Sequence, residues 1–244
     1  MISAFKKELL ELLRESEMPD EFLRLHVMKI LGPPYPPSKI SYEDFLEWAN
    51  EDTLAEWVNG EVIMTSPASK IHQLLDGFLY SLIHQYVQLR DLGKVLLPPF
   101  QMKLKNSGRE PDLIFIKKEN LKRLKKTYLD GPADLVIEII SPESIGRDRG
   151  DKFYEYEQAG IPEYWMLDHS KRRAEFYILD KSGSYILAKI GSEGKFDSKI
   201  LPGFWIKIEW LWQEPLPSAL RILGEIAGID AEIVERFENA LKKK

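Results

Sequence analysis

Ala133-Asp134-Leu135-Val136-Ile137-Glu138-Ile139-Ile140 is the stretch on which the reading of this chain turns. A short, near-continuous apolar run of this kind predicts a strand covered on both faces, the pattern of a sheet with helices packed against it. Glu138 interrupts it. Side chains alternate along a strand, so Val136, Glu138 and Ile140 share one face, and that face is otherwise apolar. An ionised carboxylate there costs on the order of several kcal/mol unless a cation or hydrogen bonds compensate.

Asp112 poses the same problem at the mouth of a second short apolar run, Leu113–Ile116. If the two strands are neighbours, the carboxylates lie side by side and repel unless a metal ion sits between them. A hard divalent ion with oxygen ligands, Mg²⁺ or Mn²⁺, suits such a pair. A structural salt bridge from an Arg to Glu138 is the competing reading. Lys152 bears on the choice, because it stands near the start of a helix expected from about Asp148 to Ala159. A strand, a brief turn and a helix bring that ammonium back to the strand's C-terminal end, where open α/β sheets place ligands.

Working outward, residues 1–32 carry apolar side chains at helical spacing and predict a helical appendage. Residues 33–40 hold four prolines and predict an extended linker. Residues 41–215 form the expected core and 216–244 a helical tail. Within the core, Ser41 caps a short helix, Asn59-Gly60 marks a hairpin, and Ser69 opens a long helix striped by Leu75, Phe78, Leu79, Leu82 and Ile83. Strands are expected at Val95–Leu97, Phe100–Leu104 and Tyr164–Leu167, with a hairpin joining Ala174–Leu179 to Tyr185–Ile190. The sum is an α/β fold, a mixed sheet flanked by helices.

Composition narrows the functions. The 244 residues carry a net charge of −5 and no cysteine, which excludes disulfide frameworks, zinc ribbons, iron–sulfur sites and cysteine nucleophiles. No apolar run is long enough to span a membrane and the N-terminus lacks a secretory core, so a cytoplasmic protein is expected.

Four blocks occur in order: Arg109-Glu110-Pro111-Asp112-Leu113; Val136-Ile137-Glu138-Ile139-Ile140-Ser141-Pro142-Glu143-Ser144; Asp148 through Tyr156; and Ala159-Gly160-Ile161-Pro162-Glu163-Tyr164-Trp165. Together with the hairpin Glu56-Trp57-Val58-Asn59-Gly60-Glu61-Val62 and Ser66-Pro67-Ala68-Ser69 before His72, they resemble the PD-(D/E)XK nuclease superfamily, in its restriction-endonuclease-like branch. The resemblance runs from about Tyr42 to Ile190. It implies a restriction-endonuclease-like sheet and a Mg²⁺- or Mn²⁺-dependent endonuclease acting on DNA. It also implies Asp112 and Glu138 as metal-binding carboxylates, with the Ile139 carbonyl as a backbone ligand. The third residue of Glu138-Ile139-Ile140 is Ile where the motif has Lys; in this branch the lysine moves to the following helix, where Lys152 stands. Glu56, and after it Glu61, are the upstream acids that would assist, against the reading of ordinary solvent-facing hairpin charges. His72 is either an ancillary site residue or a hydrogen-bonded structural histidine, and Tyr156 and Trp165 read as core aromatics.

The segment 117–126 holds six basic residues and one acidic. Following the strand of Asp112, it is expected either as a solvated face or as a track for a phosphate backbone near the site, with Arg147, Arg149 and Lys171-Arg172-Arg173 adding to it. Superfamily members often act as homodimers, and Phe204, Trp205, Trp210 and Trp212 could line such an interface or be buried in the monomer. Two other functions stay open: a non-cleaving DNA- or protein-binding module on a nuclease fold, and a metal-free glycoside hydrolase using the paired carboxylates.

Overall fold

The computed structural model describes residues 39–49, 53–64, 68–140 and 150–242. The expected N-terminal helices, most of the proline linker, Ser66-Pro67, the turn Ser141–Ser144, and Arg147, Asp148 and Arg149 lie outside them.

Five α-helices are described: α1 (Tyr42–Trp48), α2 (Lys70–Leu89), α3 (Lys152–Ala159), α4 (Ala219–Ala227) and α5 (Ala231–Lys242). The first strands are β1 (Ala55–Val58), β2 (Glu61–Met64), β3 (Gly93–Leu96), β4 (Gln101–Lys103), β5 (Ser107–Arg109), β6 (Leu113–Lys117) and β7 (Tyr128–Asp130). There follow β8 (Leu135–Ile139), β9 (Glu163–Asp168), β10 (Arg173–Leu179), β11 (Tyr185–Gly191), β12 (Lys195–Asp197) and β13 (Trp205–Lys207).

Local chemistry explains the boundaries. Ser41 and Ser69 cap α1 and α2 by accepting the backbone N–H groups of Asp44 and His72. Gly160, at φ 79°, closes α3 in the left-handed region. Asn59 and Gly60 adopt φ of 51° and 91°, the double left-handed turn that a two-residue hairpin needs.

The strands form not one sheet, as expected from the sequence, but two larger ones and a ribbon. A six-stranded sheet runs β11-β10-β9-β8-β6-β3; a five-stranded sheet runs β2-β1-β5-β4-β7; β12 and β13 pair alone. The unanticipated strands β5, β7, β12 and β13 have three residues each, too few for an alternating pattern to show. β8 and β9 are parallel and joined through α3, whereas β6 runs antiparallel to β8.

Both faces of the central strands are covered. Leu113, Phe115, Leu135, Ile137, Ile139, Trp165 and Leu167 join Leu79, Leu82 and Ile83 of α2 in one core. Ile114, Ile116, Val136, Ile140, Tyr164 and Met166 join Met102, Leu129 and Tyr156 in the other. Glu138 has the parity of the second core. Phe204, Trp210 and Trp212 are buried in the first and Trp205 packs half-buried against it, so burial in the monomer accounts for these aromatics.

Gly93 lies where a Cβ would come 1.9 Å from the Ile116 carbonyl oxygen, whereas a Cβ on Gly77 in α2 would meet nothing within 4 Å. Gly93→Ala should therefore destabilise by about 2 kcal/mol or more through forced backbone movement. Gly77→Ala should stabilise by about 0.5–1 kcal/mol, as an interior helical glycine replaced by alanine does. Denaturant midpoints of the two variants, moving in opposite directions, check the pair.

Candidate active site

The register Leu113↔Ile137 between β6 and β8 puts Asp112, one residue before β6, opposite Glu138. The two anomalous carboxylates are thus brought to one end of the six-stranded sheet. Asp112 holds that end together: its Oδ2 accepts the Ile139 N–H at 2.6 Å, and its Oδ1 lies 2.9 Å from His72 Nε2 on α2.

Glu138, 3% exposed, is answered by the lysine anticipated for it. Lys152, the first residue of α3, places Nζ 3.0 Å from each Glu138 oxygen and is itself buried. One helical turn on, the Tyr156 hydroxyl donates to Glu138 Oε1 at 2.7 Å. Tyr156 is a core aromatic, as its sequence suggested, but its polar tip belongs to the site. Burial, and then the neighbouring Glu138 charge, push its hydroxyl pKa far up, so it stays a donor.

Glu56 is the largest departure from the solvent-facing alternative. It is 2% exposed, with Oε1 3.4 Å from Lys152 Nζ and Oε2 accepting from Arg109 at 3.0 Å. The Glu110 N–H also donates to it, at 3.1 Å. Burial opposes its ionisation, yet Lys152, Arg109 and that N–H outweigh burial and hold the carboxyl below its ordinary range. Glu61, by contrast, is exposed on β2 and away from this cluster's bonds. β1 turns Glu56 inward because β5 pairs with it, and β5 is one of the strands too short to read in advance.

Arg109 was not singled out by sequence reasoning. It is 1% exposed, and besides Glu56 it grips Glu155 through Nε at 2.9 Å and Nη2 at 2.7 Å. Burial works against its charge, but the Glu155 hydrogen bonds and the Glu56 charge raise its pKa further still. Asp76, one turn after His72, was also missed. Its Oδ1 is buried without a hydrogen-bond partner among the described residues. Burial, then the charge of Asp112, lift its pKa to about 7 against the counteracting His72. Glu110 is raised to about 7 as well, first by burial and then, with Gln101 opposing, by Glu56. The signal for Asp76 lay in its i,i+4 spacing from His72 on an apolar helix.

The basic segment 117–126 is not beside this cluster. It leaves the opposite end of β6, which at about 3.3 Å per residue is on the order of 15 Å from Asp112. Lys118 pairs with Asp91 there, and Arg123 caps the Pro132 carbonyl. That segment behaves as a charged surface with local partners.

Comparison with known proteins follows from this geometry. Residues 42–209 match the family model described as "Uma2: Putative restriction endonuclease". The chain belongs to the Uma2 family. Its fold also matches a crystal structure titled as a "putative nuclease belonging to DUF820" from Anabaena variabilis ATCC 29413, with a TM-score of 0.61. That match covers 71% of this chain and 97% of the other at 14% identity, which speaks for the fold alone. No curated protein matches. The restriction-endonuclease-like architecture expected from the sequence is thereby supported, and the Uma2 match spans every residue of the cluster. Among the described residues no helix is long and apolar enough to cross a membrane.

Two stability predictions follow. Arg109→Ala strands two acids, one fully buried, and should cost about 3 kcal/mol or more; Arg109→Lys should recover only part, since one ammonium cannot reproduce the fork on Glu155. Urea melts of both variants measure this. For Asp76 the folded pKa lies above the unfolded one, so its contribution is most favourable below the ordinary carboxylate range and is lost as pH rises towards 7. Asp76→Asn should therefore gain stability relative to the unsubstituted protein at pH 8 more than at pH 4, as paired denaturation curves would register.

Proposed function

We propose that this Uma2-family protein is a divalent-metal-dependent endonuclease that hydrolyses phosphodiester bonds of DNA, with Asp112, Glu138 and Lys152 as its catalytic residues. The observation that carries the reading is the register of β6 and β8, which sets two acids at one sheet end, with Lys152 Nζ 3.0 Å from both oxygens of one of them.

The donor set fits Mg²⁺ or Mn²⁺. No group of three or more His, Cys, Asp or Glu among the described residues is arranged to hold a metal, which argues against an all-side-chain cage. Mg²⁺ seldom uses one; it binds through one or two carboxylates and keeps several waters. Asp112 and Glu138 supply the carboxylates. The Ile139 N–H points to the Asp112 side of β8 and the Ile140 N–H to the β9 side, so strand alternation turns the Ile139 carbonyl towards Asp112 as a third oxygen donor. Such an ion, when bound, supplies Lewis acidity towards a phosphoryl oxygen and a more acidic water.

The chain's own residues do the rest. His72 and the Ile139 N–H fix the Asp112 carboxylate, so its free lone pairs are aimed before substrate arrives. Tyr156 and Lys152 orient Glu138 in the same way. Lys152 is a buried cation between two acids, Glu138 and Glu56. It holds its charge where a pentavalent phosphorus would gather negative charge, and Glu56, anchored by Arg109, keeps the ammonium at the site from the other side. His72 and Glu56 are thus positioning residues in this scheme.

Nicking of supercoiled plasmid tests it. Asp112→Ala and Glu138→Ala should each lose about 10²-fold or more of Mg²⁺-dependent nicking, the scale of removing a transition-state contact. Calorimetric titration with Mn²⁺ should show weakened binding in both. Lys152→Ala should lose turnover while keeping Mn²⁺ affinity. Variants that nick as fast as the unsubstituted protein, or nicking that persists in EDTA, would refute the assignment; a glycoside hydrolase or a non-cleaving binder would give no nicking at all.

A further inference from the structure

The turn between β9 and β10 stands at the same sheet end as the acid pair. β9 runs parallel to β8 with Glu138 opposite Met166 and Ile139 opposite Leu167. The chain therefore leaves β9 at Asp168, one step past that register, and enters His169-Ser170-Lys171-Arg172 before β10.

This corner is rigidly built. Asp168, 1% exposed, accepts Ser170 Oγ at 2.7 Å and the Lys171 N–H at 3.0 Å on the same oxygen. The Arg172 N–H closes the turn on the His169 carbonyl at 3.2 Å. Arg172 takes a φ of 47°, a conformation uncommon for a residue with a Cβ. The outcome is two exposed cations on a fixed corner. Among the described residues Arg172 has no side-chain hydrogen bond or ion pair, and Lys171 keeps only a long contact, 3.6 Å, to Asp168 Oδ2. Arg173, by contrast, is already engaged with Glu175 at 2.9 Å.

We propose that Lys171 and Arg172 form a contact for the phosphate backbone of duplex DNA, each neutralising a phosphate beside the one cleaved at the sheet end that carries Asp112 and Glu138. This rests on the nuclease reading. It assigns the substrate's path to the sheet end shared with the acids, and away from the more basic but remote segment 117–126. Two phosphates next to the cleaved one need fixed charges within a few nucleotide steps of the carboxylates, and the β8–β9 register provides them.

Equilibrium binding of a labelled duplex oligonucleotide to the full chain, in EDTA to prevent cleavage and over a range of KCl, tests this. The double variant Lys171→Gln/Arg172→Asn should bind about tenfold more weakly at low salt, and the slope of log affinity against log salt should fall by about 2, near 0.9 per lost phosphate contact. Asn tolerates the left-handed backbone, so the turn is kept; Lys171→Gln alone, with Arg172 intact, should lower the slope by about 1. Lys122→Gln/Lys125→Gln/Lys126→Gln should change the slope less than the double variant despite removing more charge. Duplex binding by the unsubstituted protein with an unaffected double variant, or a larger effect from the remote triple, overturns the corner contact and leaves the nuclease reading standing. Failure of the unsubstituted protein to bind duplex at any salt also overturns the corner contact, while the nuclease reading stands or falls separately by the plasmid-nicking assay.

Discussion

A carboxylate buried in an apolar strand has to be neutralised, and the Glu138–Lys152 pair is how this fold does it. Taken alone, such a pair contributes little to stability, because the desolvation of two charges offsets most of their attraction. The arrangement around it is more extensive than neutralisation requires. Tyr156 supplies a further donor to Glu138, Glu56 shares the ammonium, and Arg109 ties Glu56 to Glu155 on the helix that carries the lysine. Each charge in the chain is satisfied by the next, so loss of any inner member leaves a buried charge unpaired.

The fold serves this chain of charges by delivering its members from separate elements. β6 and β8 bring Asp112 and Glu138 together, α3 returns Lys152 and Tyr156, and the five-stranded sheet contributes Glu56 and Arg109 from its adjoining β1 and β5. α2 adds His72 from the opposite layer. The acids therefore sit where both cores and both sheets meet, which is why Glu138, Glu56 and Lys152 are buried, and the turn after β9 shares that sheet end. Preorganised dipoles and charges in such a setting act more strongly than they would in water.

Much of this was legible in the residues. Glu138 and Asp112 stood out because each breaks an apolar pattern, and Lys152 because strand, turn and helix return it to the strand end; Lys152 meets Glu138 directly, and the register of β6 and β8 sets Asp112 opposite it. Glu56 was harder. Its hairpin reads as exposed unless β5 is known to pair with β1, and Ser107-Gly108-Arg109 carries no strand pattern of its own. Arg109 itself sits in a motif block, but nothing local separates a buried arginine from a solvated one. The basic segment 117–126 misled in the other direction: closeness to Asp112 along the chain became separation in space, because the intervening strand is extended.

Alternation, caps and turns are local physics, so the order of elements, the buried strands and the misfit acids followed from the sequence alone. Which charges meet depends on strand register and on how two sheets pack, and those are set by contacts between residues dozens of positions apart. Only the tertiary structure therefore decided that Glu56 and Arg109 stand behind Lys152, that the aromatic tail is interior, and that the corner after β9, rather than the longer basic run, shares an end with Asp112 and Glu138.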